Sequence, residues 1–177
     1  LETQNHIKSV FLSDKFSWYY QPDVTNQAVK EKRPGFAHVL VSTGGEINSS
    51  YHDLVLPIIK NSCKKVDMLG ERRILQGRTF LQLSINLKSY DLDMPHVDLK
   101  EFKHMVILYY VKDADGETVI YNEQYKGDEN IPTINDLTEK TRVKPKQGRV
   151  VIFDGFYWHT AAQPRNGDRC IINYNVV

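Results

Sequence analysis

The spacing of apolar residues changes character along this chain. In the first third, short apolar runs of mixed type are separated by turn residues. "SVFLS" and "FSWYYQPD" are rich in aromatic and β-branched residues and predict short strands. "GFAHVLVS" (35–42) predicts a longer strand, ended by Gly44 and Gly45. Ser49 or Ser50 then caps a predicted helix running to about Val66, with Leu54, Val55, Ile58 and Ile59 at helical spacing. Pro57 falls inside it and predicts a kink or the start of a second helix.

From Arg78 onward the period is that of strands. "TFLQLSINL" alternates, with Leu81, Leu83, Ile85 and Leu87 on one face and Gln82, Ser84 and Asn86 on the other. "HMVILYYV" is almost continuously apolar. "ETVIYN", "KTRVKPK", "RVVIFD", "FYWHTAA" and "RCIINYNVV" follow, set apart by Asp-, Asn- and Gly-containing turns. With the short segment "HVD" these make eight strand candidates, a pattern that predicts a jelly roll or sandwich. The fold class expected is therefore mainly β with an N-terminal helix. Residues 1–77 would support a β core at 78–177 within one domain.

Composition narrows the picture only slightly. The 177 residues are long enough for one domain with a substantial core. A formal net charge of +1 gives no global field suited to nucleic acid or an anionic membrane. The sequence contains no apolar run near the length of a membrane span and no secretory pattern, so a cytoplasmic location is expected. Cys63 and Cys170 form no C-x-x-C pair, which fits a reducing compartment better than a disulfide framework.

The chemistry gathers in "DMPHVDLKEFKHMVILYYV" (93–111) and in the last thirty residues. Alone, His96 and Asp98 read equally as a metal clamp or a surface hydrogen-bonded pair. Residues two apart on a strand point the same way, so both side chains can face inward. His159 lies 63 positions after His96, and Arg169 ten after His159. Two imidazoles and one carboxylate occupy one face of an octahedron and leave three positions open, which suits Fe(II) that must also bind a bidentate co-substrate and dioxygen. Arg169 on a neighbouring strand can pair its planar fork with a carboxylate. By strand parity Ile171, Asn173 and Asn175 share the face of Arg169, and Val106 and Leu108 share that of Tyr110. The bland readings remain beside these: His159 as a core histidine, Arg169 as an ordinary ion pair, Tyr110 as a core aromatic, Trp158 as packing. His38, His52 and His104 read as structural.

In these segments the chain resembles the Fe(II)/2-oxoglutarate-dependent oxygenases, in particular the prolyl-4-hydroxylase-like branch, which includes versions carried by phages. The resemblance spans about 78–177. "HVD" resembles the segment with the first two metal ligands, "ILYYV" the following core strand, "KPKQGRVVIFDGFYWH" the run ending in the second histidine ligand, and "RCIINYNV" the last strand. It implies a double-stranded β-helix, with Fe(II) held by His96, Asp98 and His159. It also implies 2-oxoglutarate as co-substrate, its distal carboxylate taken by Arg169 with help from Tyr110, and Asn86 and Asn173 touching its other end. Dioxygen would be consumed, and succinate and carbon dioxide released. Ascorbate would be a supporting reductant.

The expected activity is hydroxylation of a C–H bond, with a prolyl residue of a peptide or protein as the first substrate and a small molecule as the alternative. Nucleobase oxygenases resemble the same pattern, but they carry a second arginine six residues after the first, where this chain has Asn175. A jelly-roll binding module without turnover is the competing reading of another class. Lys140, Arg142, Lys144 and Lys146 form a basic ridge that either receives an anionic substrate or protects an edge strand. The segment 122–137 is long for a loop and is a candidate cover for substrate.

Overall fold

The computed structural model describes residues 2–25, 32–65, 73–85, 92–127 and 130–177. Two helices precede most of the β structure. Helix α1 (Glu2–Phe11) buries Ile7 and Phe11, four residues apart on one face. "SVFLS", expected as a strand, is largely the end of this helix. Its three apolar residues carry no period by themselves, and the helical stripe appears only once Ile7 is included. The "FSWYYQPD" strand is confined to β1 (Tyr19–Gln21), which pairs with β2 (Gly35–Val41). Helix α2 (Tyr51–Lys65) buries Val55, Ile59 and Cys63 at four-residue spacing. Pro57 starts no second helix; it lies within α2 on the exposed side, where the carbonyl it leaves unpaired can meet water.

The remaining strands are β3 (Ile74–Leu83), β4 (Met105–Tyr110), β5 (Thr118–Gln124), β6 (Glu139–Val143), β7 (Val150–Asp154), β8 (Tyr157–Ala161) and β9 (Asp168–Val176). They form a six-stranded sheet in the order β1-β2-β3-β9-β4-β7 and a three-stranded sheet in the order β6-β5-β8. Every strand pairing in the two sheets is antiparallel. This is the jelly-roll, double-stranded β-helix architecture. The "HVD" segment is not a regular strand. It is held to β8 by isolated bridges, Leu92 to Ala162 and His96 to His159.

Strand alternation explains the near-continuous apolar runs. On β4, Ile107 and Tyr109 pack with Ile172 and Tyr174 of β9 in a core that includes Ile7, Phe11, Val55 and Ile59 of the helices. The intervening Val106 and Leu108 turn to the other face, where a cavity lies. Both faces of the large sheet are therefore covered, so its central strands need apolar residues at consecutive positions. Cys63 and Cys170 are buried and form no disulfide with each other. No described helix is long and apolar enough to cross a membrane.

Candidate metal and co-substrate centre

The bridge between His96 and His159 fixes the first part of the site. Each backbone N–H donates to the other residue's carbonyl, at 2.9 and 3.1 Å. The two rings then lie 4.4 Å apart between centroids. Asp98 Oδ1 lies 3.7 Å from Nε2 of His96 and 3.7 Å from Nε2 of His159. One ligand atom from each of the three residues falls within 4.8 Å of the others.

The outer nitrogens define the tautomers. His159 Nδ1 lies 3.0 Å from the carbonyl of Tyr157, and His96 Nδ1 lies 3.4 Å from that of Met94. A carbonyl only accepts, so Nδ1 carries the proton and Nε2 keeps its lone pair toward the cluster. Burial lowers the His96 pKa to about 4, and the neighbouring His159 adds to the effect, so its imidazole is neutral at ordinary pH. Burial by itself would raise the pKa of Asp98. The His159 and His96 imidazoles and the Asn173 amide outweigh it and hold the carboxyl well below the usual range. Asn173 donates Nδ2 to Asp98 Oδ2 at 2.8 Å, which leaves Oδ1 for the cluster.

These residues line a cavity of ≈ 370 Å³ that also reaches Arg169. Arg169 is only 2 % exposed. Its Nε donates to the Gly116 carbonyl at 2.8 Å, one terminal nitrogen to Thr118 Oγ1 at 2.8 Å, and the other to Gln82 Oε1. Burial lowers its pKa. Among the described residues no carboxylate forms an ion pair with it. Asp93, the buried acid on this side, pairs instead with Arg33 at 3.0 Å and accepts from Gln163 at 2.7 and 2.8 Å.

No protein-family model matches the sequence, and no curated protein matches it significantly. Solved structures do match in shape. A 2OG-Fe(II) oxygenase-family oxidoreductase from Burkholderia pseudomallei is 11 % identical with a TM-score of 0.66, over 97 % of this chain and 76 % of that one. A Trichoplax adhaerens prolyl hydroxylase, solved with a peptide fragment of hypoxia inducible factor, is 13 % identical with a TM-score of 0.62, over 99 % and 78 %. An α-ketoglutarate-dependent epimerase of nogalamycin biosynthesis, SnoN, is 12 % identical with a TM-score of 0.63, over 99 % and 72 %. The chain has the fold of the 2-oxoglutarate–Fe(II) oxygenases.

The residues fit the groups that this oxygenase fold implies. Two imidazoles and one carboxylate form a donor set suited to Fe(II). A buried guanidinium with no carboxylate partner among the described residues suits the distal end of a keto diacid, because an unpaired buried charge is costly. The chain also accommodates the stem of that arginine. A Cβ on Gly116 would come within 2.6 Å of the Ala162 carbonyl oxygen and 3.0 Å of Arg169 Cδ, so only glycine leaves room there.

The sequence-predicted residues fall in three groups. His96, Asp98, His159, Arg169 and Asn173 line one cavity. Tyr110 does not line it; the side chain is fully buried behind Thr118 and donates its hydroxyl to Thr118 Oγ1 at 2.7 Å. Asn86 lies outside the described residues. Asn173, expected at the co-substrate, spends its amide N–H on Asp98. Trp158 packs with Val97, Val119 and Tyr121 and also walls the cavity. His104 is structural: its Nδ1 bonds the Phe102 carbonyl at 2.7 Å.

The basic ridge is partly occupied, since Arg142 pairs with Glu139 and Glu117 and the Lys140 ammonium sits 3.8 Å from the centre of the Tyr157 ring. Segment 122–137 is less of a loop than expected. Strand β5 extends through Gln124, and Ile134–Asp136 forms a 3-10 turn. Thr118, Gln82 and Arg78 were missed in the sequence. The alternation of "TFLQLSINL" puts Gln82 on the polar face of its strand, and stepping back by twos from it reaches Phe80 and Arg78.

Proposed function

We propose that this chain is a non-haem Fe(II)- and 2-oxoglutarate-dependent dioxygenase that hydroxylates a C–H bond. The observation that carries the reading is Arg169, buried with no carboxylate partner among the described residues, in the same cavity as the His96–Asp98–His159 cluster. In this reading the three clustered residues hold iron. Arg169 and Thr118 take the distal carboxylate of 2-oxoglutarate, Tyr110 and Gln82 fix those two groups, and Asn173 orients Asp98. Bound there, iron with the keto acid and dioxygen supplies the oxidising power for C–H cleavage. The chain itself orients the co-substrate, turns Nε2 of both imidazoles toward the cluster by holding Nδ1 on backbone carbonyls, and lines the cavity with Val106, Leu108 and Ile171 to limit water.

The substrate class proposed is a prolyl residue in a peptide or protein. The fold-level likeness to a peptide-bound prolyl hydroxylase supports it. So does the rim, where Ile131 of segment 122–137 is 46 % exposed and lines the cavity. The epimerase and a carbocyclase of similar fold keep a small molecule as the alternative.

The test is an anaerobic titration of Fe(II) and 2-oxoglutarate, followed by a turnover assay. A visible absorption band requiring both additions, and succinate release requiring both plus oxygen, are the expected results. Arg169→Ala should raise the apparent 2-oxoglutarate constant at least about tenfold while metal affinity holds, since a hydrogen bond to a charged group contributes roughly 1.5–3 kcal/mol. A protein that binds neither group, or loses both equally in Arg169→Ala, refutes the reading.

A further inference from the structure

Two cations in the cavity are not accounted for by the proposed chemistry. Arg78 lies on β3 directly opposite Asn173 of β9, the residue that bonds Asp98. It therefore projects at the metal end of the cavity, with Phe80 and Gln82 following at two-residue steps toward Arg169. Its guanidinium carbon sits 5.5 Å from the centre of the Phe80 ring, which fixes its direction. Among the described residues it makes no ion pair and no side-chain hydrogen bond. Lys100 also lines the cavity, with its ammonium 5.4 Å from the centre of the Tyr125 ring and no ion pair among the described residues.

The charges of the loaded centre show why these two matter. Ferrous iron and Arg169 are matched in charge by Asp98 and the keto diacid. Asp93, the other carboxylate lining the cavity, is neutralised by Arg33. Nothing remains among the described lining residues to balance Arg78 and Lys100. A neutral substrate would bury against an uncompensated guanidinium, whereas a carboxylate would meet its planar fork with two charge-assisted hydrogen bonds.

We propose that the substrate carries a carboxylate that Arg78 binds at the metal end of the cavity, with Lys100 supporting it at the rim. This deepens, and rests on, the reading of the site as an iron and 2-oxoglutarate centre. It makes Arg78 the specificity residue, separate from the co-substrate residues around Arg169. The carboxylate belongs either to a small free acid or to an acidic residue or C-terminus of a peptide.

The experiment uses the full chain loaded with Mn(II) and saturating 2-oxoglutarate, without turnover, and reads binding by calorimetry. The probes are matched pairs: N-acetyl-L-proline and its primary amide, and a short proline peptide containing one glutamate and its glutamine counterpart. At least one acid should bind tenfold or more tighter than its amide, and the pair that does so identifies the source of the carboxylate. Arg78→Gln should erase that preference, and Arg78→Lys should restore part of it, with Mn(II) and 2-oxoglutarate affinities unchanged in both. A wild type that binds metal and keto acid but prefers no acid over its amide overturns the proposal. So does an Arg78→Gln variant that keeps the preference or loses 2-oxoglutarate instead. Failure of the wild type to take up Mn(II) or 2-oxoglutarate refutes the underlying centre and the proposal with it.

Discussion

Asn173 Nδ2 donates to Asp98 Oδ2 at 2.8 Å, across from the strand carrying Arg78. The bond turns the carboxylate so that one oxygen faces both imidazoles. Groups that orient metal ligands typically contribute 10–100-fold in metal affinity. Asn173→Leu should therefore weaken Fe(II) or Mn(II) binding by about 10–100-fold, read by metal titration. It should do so without a separate loss of 2-oxoglutarate affinity once metal is saturating. A variant with normal metal affinity and a selective keto-acid defect would place Asn173 at the co-substrate, as the family resemblance implies.

Tyr110 and Thr118 offer a second contrast. The tyrosine hydroxyl reaches Thr118 rather than the cavity, while Thr118 lines the cavity and bonds Arg169. Thr118→Val should raise the apparent 2-oxoglutarate constant by roughly 10-fold or more, since it strips a partner from a buried charged group. Tyr110→Phe should raise it only about two- to threefold, for the loss of a neutral hydrogen bond one residue removed. The reverse order, read from succinate release against co-substrate concentration, would put the Tyr110 hydroxyl on the carboxylate.

These contrasts show which parts of the site the sequence carried. Order and spacing marked out His96, Asp98, His159 and Arg169; the segment carrying His96 and Asp98 is not a regular strand, and it is the isolated bridge from His96 to His159 that brings the three together. Parity says which face a residue is on, but not how deep the side chain reaches. Tyr110 is on the correct face of β4, yet its hydroxyl is spent on Thr118 of the other sheet, and it is Thr118 that lines the cavity. That relation between two sheets is invisible in either strand alone. Arg78 goes unassigned for a plainer reason: the sequence places it at the very edge of the β region, whereas β3 starts at Ile74 and carries it mid-strand. The helix over "SVFLS" was missed because its stripe is completed upstream, at Ile7.

Asp93 is expected to matter for stability. It is buried, pairs with buried Arg33, and accepts from Gln163. Burial raises its pKa, against the lowering effects of Gln163 and Arg33. Breaking a buried ion pair by removing one member typically costs about 3–5 kcal/mol. Asp93→Ala should lower the denaturation midpoint accordingly. A loss below about 1 kcal/mol in chemical denaturation would mean that water reaches this pair.

His52 should make stability fall in mild acid. Its ring is buried, with Nδ1 2.8 Å from the Tyr174 hydroxyl. Burial lowers its pKa below 6.5; Asp53 opposes this and Lys60 adds to it. The unfolded chain takes up that proton near pH 6.5, while the folded chain resists it until a lower pH. Between the two values the unfolded state binds more protons, so this contribution weakens as pH falls. Comparing wild type with His52→Gln from pH 7.5 to 5 isolates it, because other titrations cancel. The wild type should lose stability relative to the variant below about pH 6.5. A stability difference that stays constant across this range would show that the ring protonates freely in the fold.

Gly116 provides the last prediction, because it ties a backbone position to co-substrate binding. The Arg169 stem passes close over Gly116, and the Gly116 carbonyl accepts from Arg169 Nε at 2.8 Å. An added methyl group would meet the Ala162 carbonyl oxygen at 2.6 Å and Arg169 Cδ at 3.0 Å. The backbone contact is tighter than real Cβ atoms tolerate, so the turn must shift, and the guanidinium shifts with it. Overpacking of this kind costs about 1–3 kcal/mol. Because the strain falls on the Arg169 end of the cavity, Gly116→Ala should raise the apparent 2-oxoglutarate constant on the order of 10-fold, the equivalent of such a cost. His96 and Asp98 belong to another segment, and His159 lies in the middle of β8, three residues before Ala162, so metal affinity should stay within about twofold. Equal losses of metal and keto acid in a stably folded variant would mean that the two ends of the cavity move as one unit, contrary to this division.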